Sequence, residues 1–183
     1  MKVVNYRRKR EGRTNYKKRL ILLQSRRPRI IIRKTNRQIM LEIAEYAPDG
    51  DKIICGVSSI ALKKLGWKYA CNNMPACYLA GLLLGKKALA KKVKGAIADF
   101  GLHTPVAGSK LYAALKGAID AGMEIPASEE VFPSEDRLKG KDITAYFASS
   151  KDKQQFTNYK KQSLDLKKLQ PDFDALKKKI ISS

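Results

Sequence analysis

The 183-residue sequence predicts an α/β fold: a mixed sheet that starts with a three-stranded antiparallel meander and carries helices packed on it. Three observations support this. Three short β-rich segments follow one another between residues 29 and 59, parted by turn residues. A helix–strand–helix pattern comes next, and strands followed by helices point to helices lying against one sheet. Apolar residues make up 44% of the chain, enough for a substantial core.

Residues 1–28 form an arm that ends at Pro28. Within it Tyr16, Leu20 and Leu23 fall at helical spacing, which predicts a short helix over Tyr16–Leu23. The rest of the arm has no periodicity and is expected to be extended or disordered in the free protein. RIIIRK and QIMLEIAEY read as strands divided by a turn around Asn36 and Arg37. Pro48, Asp49 and Gly50 then turn the chain into a third strand. In the second strand Ile39, Leu41 and Ile43 share one face, with Met40, Glu42 and Ala44 on the other.

Ser59–Leu65 is a short helix closed by Gly66. The polar linker GWKYACNNM leads to Pro75, a residue suited to the first helical position. The helix that follows, to about Lys92, is apolar almost all round until Lys86, so burial on several sides is expected. GAIADFGL reads as a buried strand. In GSKLYAALKGAIDAGM, Leu111, Ala114, Leu115, Ala118 and Ile119 form one stripe of an amphipathic helix stopped by Gly122. Past Glu124 a proline-punctuated loop gives way to short helical pieces at Ile143–Ser149 and Phe156–Lys161. A last helix begins near Pro171 with Phe173, Leu176 and Ile180 on one side. The expected division is an arm over 1–28, an α/β core over 29–125 and a loop and helical extension over 126–183.

Charge is distributed unevenly. From Lys2 to Arg37 there are 15 Lys or Arg and one acid, Glu11, so this fifth of the chain carries +14 of the formal +21. Such an excess repels itself unless a polyanion neutralises it, and blocks of like charge usually mark interaction tails. The arm interleaves Arg7, Arg8, Lys9, Arg10, Arg13, Thr14 and Arg19 with Tyr6 and Tyr16. Guanidinium forks grip phosphate bidentately and stack on bases, and tyrosine offers a flat face to an unpaired base. The block also reads as a solvated tail or a localisation signal, but nucleic acid is the favoured partner. A membrane-surface role wants a sustained amphipathic helix, and the arm has only LILL before Pro28. At the first hairpin Arg33, Lys34, Thr35, Asn36 and Arg37 extend the cationic and amide surface. In the linker Asn72 and Asn73 can cap the next helix, whose N-terminus also suits a phosphate.

Other chemistries find little support. Cys55, Cys71 and Cys77 contain no C-x-x-C pair, and His103 is the one histidine, so no metal site and no disulfide framework is expected. The cysteines read as small buried residues of a reducing, cytoplasmic compartment. No secretory signal is visible, and the run Ala76–Leu84 is far short of a membrane span. GLLLGKKA is not a phosphate loop: three residues separate Gly81 from Gly85, and Lys86 is followed by Lys87. Its glycines suit close helix packing against the sheet. A metal-dependent nuclease needs converging carboxylates, whereas Glu42, Glu45 and Asp99 are scattered over two strands and Asp120 lies on the polar side of its helix. The reading is therefore of a non-enzyme with no cofactor and no small-molecule substrate. A general basic nucleic-acid binder without RNA selectivity is the alternative to a dedicated RNA partner.

RRKREGRTNYKKRL, RIIIRKTNRQI, GWKYACNNMPACYLAGLLLGKKAL, FGLHTPVAGSKLYAALKGAIDAGMEIP and VFPSEDRLKG occur in the order of one family. Over about Tyr6–Lys161 the sequence resembles large-subunit ribosomal protein eighteen in its archaeal and eukaryotic branch, called ribosomal protein five in eukaryotes. The short KKALAKKVKG connection resembles the archaeal form, which lacks a eukaryotic insertion there. The resemblance implies a ribonuclease-H-like fold without that fold's enzymatic carboxylates. It also implies binding to 5S rRNA in the central protuberance, contacts to the large rRNA, and neighbouring large-subunit ribosomal proteins. It carries RNA contact to the arm and hairpin residues named above, to Lys68, Asn72 and Asn73, and to His103, Thr104, Ser109 and Lys110. The chain departs from the pattern in two places: Tyr69-Ala70-Cys71 stands where the family has glycine-rich sequence, and the segment after Tyr159 differs.

Overall fold

The computed structural model describes residues 3–149, 156, 157, 159 and 164–182. The meander forms as expected, from β1 (Arg29–Lys34), β2 (Ile39–Glu45) and β3 (Lys52–Ser58). A fourth strand, β4 (Ile97–Asp99), pairs parallel to β1, giving the order β3-β2-β1-β4. Register follows the apolar alternation. Ile30 faces Ile43 and Ile32 faces Leu41 across the antiparallel pair, and all four are completely buried. The ladder between β2 and β3 shifts at Ile43/Ala44, where Cys55 and then Ile53 are the successive partners.

One face of the sheet is covered by two long helices, α4 (Met74–Ala90) and α5 (Lys110–Asp120), after the short α3 (Ala61–Lys64). Asn73 caps α4 by accepting the Ala76 N–H at 3.0 Å, and Pro75 sits in the first turn, where its missing N–H costs nothing. Helix α4 is apolar all round because it has neighbours all round: the sheet, α5, α6 (Glu135–Lys139) and the C-terminal α8 (Leu169–Ser182). Between α6 and α8 runs α7 (Lys141–Ser149). Of the helical piece expected over Phe156–Lys161, Phe156, Thr157 and Tyr159 are described and the rest lies outside the described residues.

The glycines of α4 face α5, not the sheet as expected. A Cβ on Gly81 would lie 1.9 Å from the Ala114 carbonyl oxygen, one on Gly117 2.1 Å from that of Tyr78, and one on Gly85 2.5 Å from the Ala121 Cβ. Lys110 at the start of α5 lines a shared pocket with Asn73 and Met74 at the start of α4, and Gly122 just past α5 lies against Leu89 near the end of α4, so the two helices run in the same direction with both N-termini at one end. Backbone-to-backbone contact of this kind needs a missing side chain on each partner, and three glycines provide it.

The two departures from the family pattern meet. Tyr69, buried beside Trp67 at a ring distance of 5.1 Å, donates its hydroxyl to Asp172 of α8 at 2.9 Å. Burial first, and then Asp172, push this phenol well above its ordinary value. Phe173 packs on Tyr78 at 5.6 Å, and Leu176 and Ile180 are buried along the same side of α8. The linker and the tail are thus one packed unit against α4.

The close helix pair yields a direct test. Gly81→Ala or Gly117→Ala drives a methyl into a carbonyl that cannot yield without moving a helix. Each is expected to cost at least about 1–3 kcal/mol by overpacking, measured as a lowered urea midpoint at unchanged m-value, whereas Gly95→Ala, whose Cβ would meet its nearest neighbour at an ordinary 3.5 Å, costs less.

Candidate nucleic-acid interface

The outer face of the sheet, opposite α4 and α5, carries Arg29, Ile31 and Arg33 of β1 beside Asp99 of β4. Here the strand alternation sets charge where a second apolar face would otherwise stand. Arg29 is only 1% exposed, and its guanidinium lies between two carboxylates: Nη1 donates to Asp99 Oδ2 at 2.9 Å, and Nη2 is 2.6 Å from Asp51 Oδ2. The second contact is an ion pair without an aligned hydrogen bond, and Nε finds no partner among the described residues. Arg33 completes the inner end, donating to the Asp99 carbonyl at 2.7 Å and to its carboxylate at 3.1 Å. Gly101 makes room for it: a Cβ there would sit 2.8 Å from the Arg33 Cζ, and its φ of +59° suits glycine.

Asp51 carries the chain of alternating charge onward to the arm. It accepts a bidentate pair from Arg19, Nη1 to Oδ2 at 2.9 Å and Nη2 to Oδ1 at 2.8 Å. Arg19 projects from α2 (Tyr16–Gln24), the arm helix anticipated from its spacing and capped by Asn15, which accepts the Lys18 N–H. The remainder of the arm is not simply extended, because α1 (Arg7–Arg10) makes one further turn. Burial pushes the Asp51 carboxyl up, but the paired hydrogen bonds from Arg19 and the charges of Arg29 and Arg19 outweigh it and hold the group below its ordinary value of 3.8. The Asp51 hydrogen bond in turn raises Arg19. Between α2 and the outer sheet face the docked arm leaves a cleft of about 790 Å³.

The expected site residues fall into three groups. Arg7, Arg8, Lys9, Arg10 and Arg13 are exposed; Arg8 donates to Thr14 at 2.9 Å, and Arg7 and Arg13 share Glu11 in surface ion pairs worth little. Tyr16 packs against Tyr6 with the rings tilted, 5.1 Å between centroids. The second group is the hairpin tip, where Thr35 ties its own turn through Gln38 while Lys34, Asn36 and Arg37 stay exposed. To this tip the fold brings Asn72, whose amide donates to the Asn36 carbonyl at 3.0 Å, and His103, which accepts the Lys34 N–H on Nε2 at 3.3 Å. Desolvation, then Lys34 and Arg33, lower the His103 pKa, so its ring is neutral. The third group, Asn73, Ser109 and Lys110, marks the starts of the parallel helices α4 and α5; Thr104 is exposed on the loop before α5 and Lys68 on the linker. Sequence reasoning missed Arg29 and Asp51, which tie the arm to the sheet. The available signal was arginine at positions 29 and 33 of a strand whose intervening residues are all isoleucine.

A family model described as ribosomal large subunit proteins 60S L5 and 50S L18 matches residues 2–97 of the 183, just over half of the chain. The chain belongs to this family. The matched stretch holds the arm, the meander, the linker, α4 and the start of β4, and so most of the interface above. This is therefore a large-subunit ribosomal protein, bound in the ribosome to rRNA and neighbouring ribosomal proteins, in a structural rather than an enzymatic family. Two of the four carboxylates weighed for a nuclease have partners of their own: Asp99 holds two arginines, and Asp120 accepts the Tyr78 hydroxyl at 2.7 Å and lies 3.3 Å from the Lys116 ammonium. No group of three or more potential metal ligands is found among the described residues, and no described helix is long and apolar enough to cross a membrane. All three cysteines are free and buried, with the Cys77 thiol pushed up to about 12 by burial.

Two outcomes follow from the charge chain. Asp99→Asn leaves Arg29 half-paired in a buried site and is expected to destabilise the fold by roughly 3 kcal/mol, read from urea unfolding. Asp51 has a depressed folded pKa, so the unfolded chain takes up its proton first. Its contribution is complete above about pH 4 and is lost as pH falls through the folded value. Heteronuclear NOEs of the α2 amides should therefore be rigid and flat from pH 7 to pH 5, and the Asp51→Asn protein should show mobile α2 amides throughout.

Proposed function

We propose that this protein binds 5S rRNA and anchors it, with further contacts to the large rRNA, in the central protuberance of the large subunit. Family membership supports an rRNA partner, and the observation that carries the finer reading is the continuity of one basic surface. The arm, the hairpin tip with Asn72 and His103, and the paired starts of α4 and α5 lie on connected elements of one fold. Its contact residues are Arg7, Arg8, Lys9, Arg10, Arg13, Thr14, Tyr16, Arg19, the tip Arg33–Arg37, Lys68, Asn72, Asn73, His103, Thr104, Ser109 and Lys110. The core over 29–125 reads RNA shape, because A-form helices are recognised by backbone geometry and unpaired loops by base contacts. The arm over 1–28 supplies phosphate contacts and most of the salt dependence, and the extension over 126–183 braces α4. No catalytic role is proposed.

Filter binding of the full-length protein to 5S rRNA, tRNA and duplex DNA across a salt series tests this. A variant with Arg7, Arg8, Lys9, Arg10 and Arg13 all changed to Gln is expected to keep its preference for 5S rRNA while its salt slope falls by about 0.7 for each phosphate no longer neutralised. Equal affinity of the wild-type protein for all three nucleic acids would replace this function with unselective polyanion binding.

A further inference from the structure

We propose that the cleft between the arm and the sheet is a preformed slot for one unpaired nucleotide of the RNA. The proposal rests on the 5S rRNA reading above and goes beyond phosphate contact along the arm. At about 790 Å³ the cleft lies within the roughly 300–1,000 Å³ range of pockets that enclose a small organic ligand. That suits a nucleotide, whereas a duplex cannot enter.

The lining separates by chemistry. Ile31 of the sheet and Leu22 and Tyr16 of α2 give it apolar and aromatic surface. Tyr16 rests on Tyr6 at 5.1 Å, so its ring is braced before any ligand arrives. Arg8, Arg13 and Lys18 bring cations to the same cleft from the arm. The two acids that line it, Asp51 and Asp99, are engaged by arginines and do not confront a phosphate as free charges. His103, accepting on Nε2, keeps its proton on Nδ1 and adds a neutral donor to the lining. A flat apolar interior with cations on one side and a few polar groups matches a base with its phosphate, and an inorganic phosphate or an acidic peptide would leave the aromatic surface unused. Base stacking on aromatic side chains is worth about 1–3 kcal/mol per base, which corresponds to a five- to 150-fold share of affinity.

The test uses 5S rRNA carrying 2-aminopurine at each unpaired purine in turn, titrated with the full-length protein. At least one position should change fluorescence saturably, in step with binding. Leu22→Trp, which places a bulky ring in the cleft from the arm, should abolish that change and weaken binding about tenfold while leaving the salt slope as in the wild type. Tyr16→Ala, on the arm and outside the core, should weaken the change without altering the unfolding midpoint. Selective 5S binding with no responsive position would overturn the slot and leave the function standing. A response that survives both Leu22→Trp and Tyr16→Ala would also overturn it, since the base would then sit elsewhere. Loss of selectivity among RNAs would bring down the function and the slot together.

Discussion

Arg29 cannot be left alone. A guanidinium 1% exposed in a sheet has given up its water, and the cost of several kcal/mol per desolvated ion is offset only where opposite charge and hydrogen bonds surround it. It takes Asp99 from the neighbouring parallel strand and Asp51 from the turn between β2 and β3. One side chain thereby fixes the position of β4, which has only three paired residues of its own, and of a turn that would otherwise be free to move. Each acid then has capacity to spare, filled by Arg33 and Arg19 in turn. The docking of the arm is the last consequence of burying Arg29.

A second constraint acts on the opposite face. The glycine contacts between α4 and α5 allow two parallel helices to lie closer than side chains would permit, and parallel packing gathers their N-termini at one end. The strand-to-helix connections that feed them therefore emerge together. Asn72 and His103, one from each connection, both hydrogen-bond the tip of the first hairpin. The basic tip is held from two sides by residues remote in sequence. A stiff tip loses less entropy on meeting RNA than a free loop would.

The parts of this fold legible in the sequence are those set by local periodicity. Ile39, Leu41 and Ile43 announce their strand, the stripe from Leu111 announces α5, and Asn73 with Pro75 announces the start of α4. The direction in which Gly81 and Gly85 face is not legible, because a small residue shows that something approaches closely without saying what. The same holds for α1, whose four basic residues carry no apolar pattern, and for α6, hidden in a proline-punctuated loop. The site is half legible: runs of Arg and Lys mark the arm and the hairpin. The structural role of Asp51 and Asp99 is hidden, since it depends on partners 32 and 70 residues away.

Placing acids within a surface meant for a polyanion looks like waste, and the charge chain shows why it is not. Three arginines with no internal partner would repel one another, and the arm would be held off the sheet by the same charge that suits it to RNA. Two carboxylates interleaved with three guanidiniums reverse that repulsion locally, at the modest sacrifice of two positive charges from a chain with a formal excess of +21. The remaining arm cations stay exposed, and the cleft beside them exists before RNA arrives. Ordering an arm on its target weakens binding by the entropy of every residue fixed, on the order of 1–2 kcal/mol per residue. An arm already docked through Arg19 and Asp51 has met part of that entropy during folding, so more of the energy of its phosphate contacts is available as affinity.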